Sequence, residues 1–213
     1  MTHHSIVSTR FALQAVGAVA VLFLAGCDGD STGPGPDEVK DESELTFVRF
    51  KAAAQGNVPL QASFWAVRGE DRELEMRSFP TPDDEDGEKF LELEIDDETL
   101  LRRPDGSSFA EGDSILITVT LDSGGRFIFD FQPSGLVFNP AEPAELKIRY
   151  VLGDDDYDGD GDVDEDDFGF EAQLAIWKRE QSSDPFVRLP SIEIGDDELK
   201  ADLDGFTGFA LAN

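Results

Sequence analysis

Asp156-Tyr157-Asp158-Gly159-Asp160-Gly161-Asp162-Val163-Asp164-Glu165-Asp166-Asp167 sets carboxylates at alternate positions around two glycines, a spacing that suits a hard divalent cation. Calcium takes about six to eight oxygens at about 2.3–2.6 Å, so carboxylates on a tightly curled backbone can surround it. Read as a twelve-residue calcium loop, the segment has oxygen donors at positions 1, 3, 5, 9 and 12, glycine at 6 and an aliphatic residue at 8. Asp156, Asp158, Asp160 and Asp167 are then side-chain ligands, Asp162 offers its backbone carbonyl, and Asp164 acts through water. Gly161 permits the sharp turn, and Val163 is expected to point inward and hold the loop against a core. The competing reading is a solvated acidic turn in a chain with 47 Asp and Glu against 17 Lys and Arg. Random acidity does not explain the placement of Gly161 and Val163.

This loop is similar to those of EF-hands and dockerins. Aspartate rather than glutamate at Asp167 resembles the dockerin form, and Phe168 is an apolar follower as in EF-hands. The flanks depart from both families. A strand-like run, Glu145–Val151, stands where an entering helix would be, and only a short helix, Glu165–Glu171, can follow. A dockerin also carries a second calcium loop; Asp202-Leu203-Asp204-Gly205 begins like one, but no donors follow at the required positions. The expectation is a single inserted loop with calcium as the cofactor.

Leu24-Ala25-Gly26-Cys27 ends the uncharged run Phe11–Ala25, which follows a short segment bearing His3, His4 and Arg10. That order is the layout of a signal peptide, and the apolar run is short for a span of about 30 Å of hydrocarbon. The four residues resemble the bacterial lipobox, which implies that Cys27 carries lipid and becomes the new N-terminus after residues 1–26 are removed. The resemblance implies a membrane-anchored lipoprotein of the bacterial cell envelope, facing the periplasm or the cell surface. Asp28 resembles the inner-membrane retention signal of enteric bacteria, and the choice of membrane stays open. Residues 27–44, rich in Asp, Glu, Gly, Pro and Ser, read as a disordered acidic linker.

Both histidines lie in the segment expected to be removed, and Cys27 is the sole cysteine. The mature chain therefore lacks the residues for Ser-His-Asp or Cys-His catalysis and for histidine or thiolate zinc sites. A formal net charge of -30 argues against nucleic acid as a partner. Paired carboxylates among Asp83, Asp84, Glu85 and Asp86, or Asp96, Asp97 and Glu98, have the composition of glycosidase sites, yet so acidic a chain yields such pairs without catalytic meaning. The chain is read as a non-enzyme. Trp65 and Trp177, with Tyr150 and Tyr157, could make a sugar-stacking platform, although aromatic residues in alternating runs more often belong to the core. A structural protein buries both tryptophans, whereas a carbohydrate binder exposes at least one on a flat face. A carbohydrate- or protein-binding module is thus the alternative to a scaffold.

The elements that must position these residues alternate with period two, the pattern of half-buried strands. Phe47–Lys51, Leu60–Val67, Leu74–Phe79, Phe90–Ile95, Ile115–Leu121, Arg126–Phe131 and Glu145–Val151 carry it, then Leu174–Trp177, Phe186–Leu189, Leu199–Leu203 and Phe206–Ala212. The fold expected is all-β, an antiparallel β-sandwich over residues 45–151, with the loop inserted at 152–171 and residues 172–213 completing the domain. Phe129–Phe138 and Pro143–Tyr150, with the strands that follow, resemble the second half of ZU5-type β-sandwich domains, which implies a recognition or scaffold setting. Some relatives of that fold cleave themselves at a His-Phe-Ser or His-Phe-Thr turn. Here the triplet is Gly205-Phe206-Thr207, without the histidine, and Thr207 is read as a strand residue.

Overall fold

In Ser114–Leu121, Ile117, Val119 and Leu121 are buried while Leu116 and Thr120 face out, as a strand covered on one side requires. The same alternation builds most of the chain. A computed structural model describes residues 38–82, 84–195 and 197–213. Its strands are β1 (Val39–Lys40), β2 (Gln61–Val67), β3 (Arg72–Arg77), β4 (Lys89–Ile95), β5 (Leu100–Arg102), β6 (Ser114–Leu121) and β7 (Ile128–Gln132), followed by β8 (Val137–Phe138), β9 (Ala144–Arg149), β10 (Ala175–Arg179), β11 (Phe186–Arg188), β12 (Ser191–Gly195), β13 (Glu198–Leu203) and β14 (Gly208–Ala212). A 3-10 turn, Glu42–Glu44, and one helix, α1 (Glu165–Glu171), complete the elements.

The strands form a seven-stranded sheet in the order β1-β11-β10-β14-β7-β6-β2 and a five-stranded sheet in the order β12-β13-β9-β4-β3, with β5 and β8 as a separate pair. Pairing is antiparallel throughout, as in β6 with β7 and β4 with β9. The all-β sandwich is therefore the architecture of this chain. Its core is rich in phenylalanine: Phe50 stacks on Phe127 at 4.0 Å and meets Phe90 edge-on at 5.5 Å, while Phe131 contacts Phe206 and Phe209. Such pairs add about 0.5–1.5 kcal/mol each beyond the area they bury.

Three expectations need correction. The acidic linker does not extend to Glu44, because Val39 and Lys40 pair with Val187 and Phe186 of β11. Beyond them, Glu42 accepts from Arg126 at 2.7 Å and from Arg179 at 2.6 Å. This strap lies beside a second small core on the outer side of the seven-stranded sheet, where Leu45 and Phe47 join Ile128, Trp177 and Phe186. Residues 27–37, Cys27 and the apolar N-terminal run lie outside the described residues. Second, Phe47–Lys51 is not a continuous strand. Phe47, Arg49 and Phe50 make isolated bridges to three different segments, at Ala212, Arg126 and Gly153. Third, Thr207 precedes β14 in a bend, buried, rather than lying in the strand. Among the described residues no helix is long and apolar enough to cross a membrane.

Candidate metal centre

The acidic loop leaves β9 through a tight crossing at Gly153. A Cβ there would lie 2.7 Å from the Tyr150 carbonyl oxygen and 2.8 Å from a Val48 methyl, so the close approach requires glycine. Asp154 N–H then donates to the Arg49 carbonyl at 2.7 Å, tying the loop entrance to the irregular Phe47–Lys51 segment. At the exit, Asp164 caps α1, accepting from the Asp166 N–H at 2.9 Å, while Asp167 accepts from the Asp164 N–H at 3.0 Å. This reciprocal box fixes where the helix begins, and the acidic first turn complements the helix dipole.

Between these two anchors the backbone curls around its own carboxylates. Asp156 accepts from Gly159 at 2.7 Å through one oxygen and from Gly161 at 2.9 Å through the other. Gly161 has φ of 99°, a conformation that glycine adopts without strain. Asp167 Oδ1 accepts from Tyr157 N–H at 2.7 Å and Asp158 N–H at 3.3 Å, pulling the end of the loop onto its start. One carboxylate oxygen from each of Asp156, Asp158 and Asp167 lies within 4.8 Å of the others, so these residues could hold a metal ion. Asp167 is 1% exposed, whereas Asp158 stands at the surface.

The backbone donor at Asp164, with those at Tyr157 and Asp158, holds the Asp167 carboxyl below its ordinary range. Asp158 is shifted the other way. The Asp160 N–H draws it down, but partial desolvation and the carboxylates of Asp160, Asp167 and Asp156 outweigh that bond. Just outside the ring, burial raises the Glu171 carboxyl, and Asp197, Asp155 and Glu193 raise it further. Lys51 pairs with Asp155 at 3.2 Å, one residue before the loop. Among the described residues no ion pair brings a lysine or arginine to the loop carboxylates themselves. The donor set is oxygen only and crowded with like charge, which fits a hard cation.

The other proposed ligands are placed differently. Asp160 Oδ1 accepts from Asp162 N–H at 2.9 Å, and the carboxylates of Asp160, Asp162 and Asp164 do not join the convergent group. Val163 is 56% exposed, contrary to the expectation that it faces inward. The loop is held to the core by Tyr157, which packs against it, and by the buried Asp167, leaving position 8 without a surface to cover. Phe168 is likewise exposed.

A second acidic triad, Glu73, Glu75 and Glu92, lies on the outer face of β3 and β4. Lysines neutralise it: Lys89 reaches Glu75 at 3.3 Å and also binds Glu92, while Lys147 of β9 lies 2.7 Å from Glu92. Burial pushes Glu92 up, but its interaction with neighbouring Glu94 and the hydrogen bonds donated by Lys147 and Lys89 bring it down to about 2, while Glu94 is raised in turn by Glu92. Sequence spacing gives no sign of this cluster, because it forms across three strands.

Of the aromatic candidates, Trp177 is buried with its indole N–H on the Ala212 carbonyl at 3.0 Å, Tyr150 is buried, and Tyr157 is partly so. Trp65 is 59% exposed. Asp96, Asp97 and Glu98 stand exposed on the turn between β4 and β5; Asp84, Glu85 and Asp86 occupy the turn before β4, with Asp83 outside the described residues. A groove of about 600 Å³ bordered by Leu101, Val137, Phe206 and Thr207 contains neither acidic run. No family model matches this chain, and comparison with curated proteins and with solved structures finds no match.

Proposed function

We propose that this chain is a non-enzymatic, lipid-anchored protein of the bacterial cell envelope, in which calcium orders the 156–167 loop and stabilises a β-sandwich used for scaffolding or recognition. Cys27, in its lipobox-like setting, supplies the anchor. The observation that carries the calcium reading is the convergence of Asp156, Asp158 and Asp167, closed by backbone donors around the buried Asp167. Asp160, with the Asp162 carbonyl and a water at Asp164, would complete the oxygen set. A cation bound only by the folded state stabilises it by mass action, about 2.7 kcal/mol at 100 times the dissociation constant. An extracellular module needs a dissociation constant of only about 0.1–1 mM.

Calorimetric titration tests this reading. The full chain in detergent should take up one calcium ion. Asp160→Ala should remove most of the binding heat, and Asp84→Ala, in an acidic run without loop spacing, should leave it unchanged. Magnesium should replace calcium poorly, since it demands strict octahedral geometry and retains its waters. Equal heats for the wild type and both variants would identify a diffuse acidic surface in place of a site.

A further inference from the structure

The two sheets solve the problem of facing water in different ways. Outside the five-stranded sheet, Glu92, Glu94 and Glu145 alternate with Lys147 and Lys200 in a ladder of ion pairs. The outer face at the β2 edge of the seven-stranded sheet carries its charge at its two ends, Arg103 paired with Asp113 beside Ser114 and Asp130 opposite Thr120. There Trp65 stands directly across from Leu116, and Ser63 across from Thr118, with Gln132 of β7 opposite Thr118 on the other side. Trp65 is 59% and Leu116 43% exposed, and Asp130 is the carboxylate nearest this strip in the strand register. For a chain of net charge -30, a neutral strip that combines an exposed indole with hydroxyls and an amide departs from the surrounding chemistry.

We propose that this strip is a binding platform for a neutral oligosaccharide. Strand geometry fixes its dimensions: alternate residues on one strand are about 7 Å apart and neighbouring strands about 4.8 Å, so Trp65, Ser63, Thr118 and Gln132 lie side by side on one face. The flat C–H face of a sugar ring matches the indole face. Ring hydroxyls match side chains that can donate and accept; Ser63 and Thr118 share one hydrogen bond at 2.9 Å in which either hydroxyl can be the donor, leaving each with further capacity. The strip residues themselves carry no cation, and the arginine at its end, Arg103, is paired with Asp113 at 3.0 Å, so within a strongly acidic surface an anionic glycan is disfavoured and a neutral one is left. Trp65 lies on the outer face of an edge strand, so an extended chain can cross the ring without meeting another strand. This inference uses no residue of the acidic loop and stands independently of the calcium reading.

The test is an array of neutral oligosaccharides (β-glucan, xylan, mannan and α-glucan fragments) beside uronate and sulfated ones, probed with the full chain in detergent and calcium, then titrated by tryptophan fluorescence. A neutral class should bind, and Trp65→Ala should weaken it by about tenfold or more, the ratio equal to about 1.4 kcal/mol. Its melting temperature should be unchanged, since the ring is exposed. Gln132→Ala should lower affinity for the same sugar by a smaller factor, which guards against a folding defect at Trp65. Failure of every neutral sugar to bind, preferential binding of the acidic ones, or undiminished affinity in Trp65→Ala would overturn the proposal. So would a protein partner captured through Trp65 when no sugar binds.

Discussion

Asp167 and Glu92 are both buried carboxylates, satisfied by opposite means. Asp167 is closed by backbone N–H groups alone, and Glu92 by two lysine ammonium groups. A buried charge without compensation is costly, so each arrangement is specific to its residue. Glu92 and Glu94 titrate as a pair: against burial, Glu94 and the lysines hold Glu92 down to about 2, while Glu92 beside it raises Glu94. The Glu92 contribution is present above the ordinary 4.5 and lost as pH falls toward 2, and the raised Glu94 offsets part of it. Lys147→Met removes one of the two cationic partners and should cost about 1.5–3 kcal/mol near pH 6, the range for hydrogen bonds to charged groups. Near pH 2 the cost should be much smaller, and urea melts at the two pH values measure the difference. A cost independent of pH would mean that Lys147 acts through packing alone.

At the scale of elements, legibility followed regularity. Helix α1 begins and ends where the sequence places it, because Asp164 and Asp167 form a local capping box. Long alternating runs such as β2, β4 and β6 were likewise readable, within one residue at their ends. Strands of two or three residues, β1, β5, β8 and β11, are too short to show a period, although the apolar Phe186 still marked the last of these. β12 was not legible because its alternation, Ile192-Glu193-Ile194, spans only three residues between Ser191 and Gly195 on an edge strand. The strap at Glu38–Glu44 was hidden by a composition that reads as linker; what orders it is long-range, the pairing of Val39 and Lys40 with β11 and the convergence of Arg126 and Arg179 on Glu42. Those arginines hold the Glu42 carboxyl below its ordinary range. Because Glu42 remains substantially exposed, Glu42→Ala should cost no more than about 1 kcal/mol. Phe186→Ala, which empties the small core beside the strap, should cost about 3–5 kcal/mol. Chemical denaturation of both variants checks the ranking, and a larger loss for Glu42→Ala would contradict it.

Across the whole molecule, a formal net charge of -30 is of the kind that favours solubility and repels polyanions, while the sandwich presents two outer faces of different chemistry. The convergence of Asp156, Asp158 and Asp167 was approachable from sequence because the loop's twelve residues are contiguous, whereas the exposure of Trp65 depends on which side of β2 faces the core. The proposed anchor belongs to this scale as well. Cys27→Ser should abolish fatty-acid labelling and release the chain from the membrane fraction or strand its precursor. Unchanged labelling and fractionation would refute the lipoprotein reading. The central claim, that calcium bound by the 156–167 loop stabilises the sandwich, is tested most directly by thermal unfolding of the full chain with and without the ion. At calcium about 10–100 times a millimolar-range dissociation constant, mass action gives about 1.4–2.7 kcal/mol, and a domain of this size should gain several degrees, at about 2–4 °C per kcal/mol. Asp160→Ala should lose most of that gain. An unchanged melting temperature for the wild type, or an equal rise in Asp160→Ala, would contradict the account.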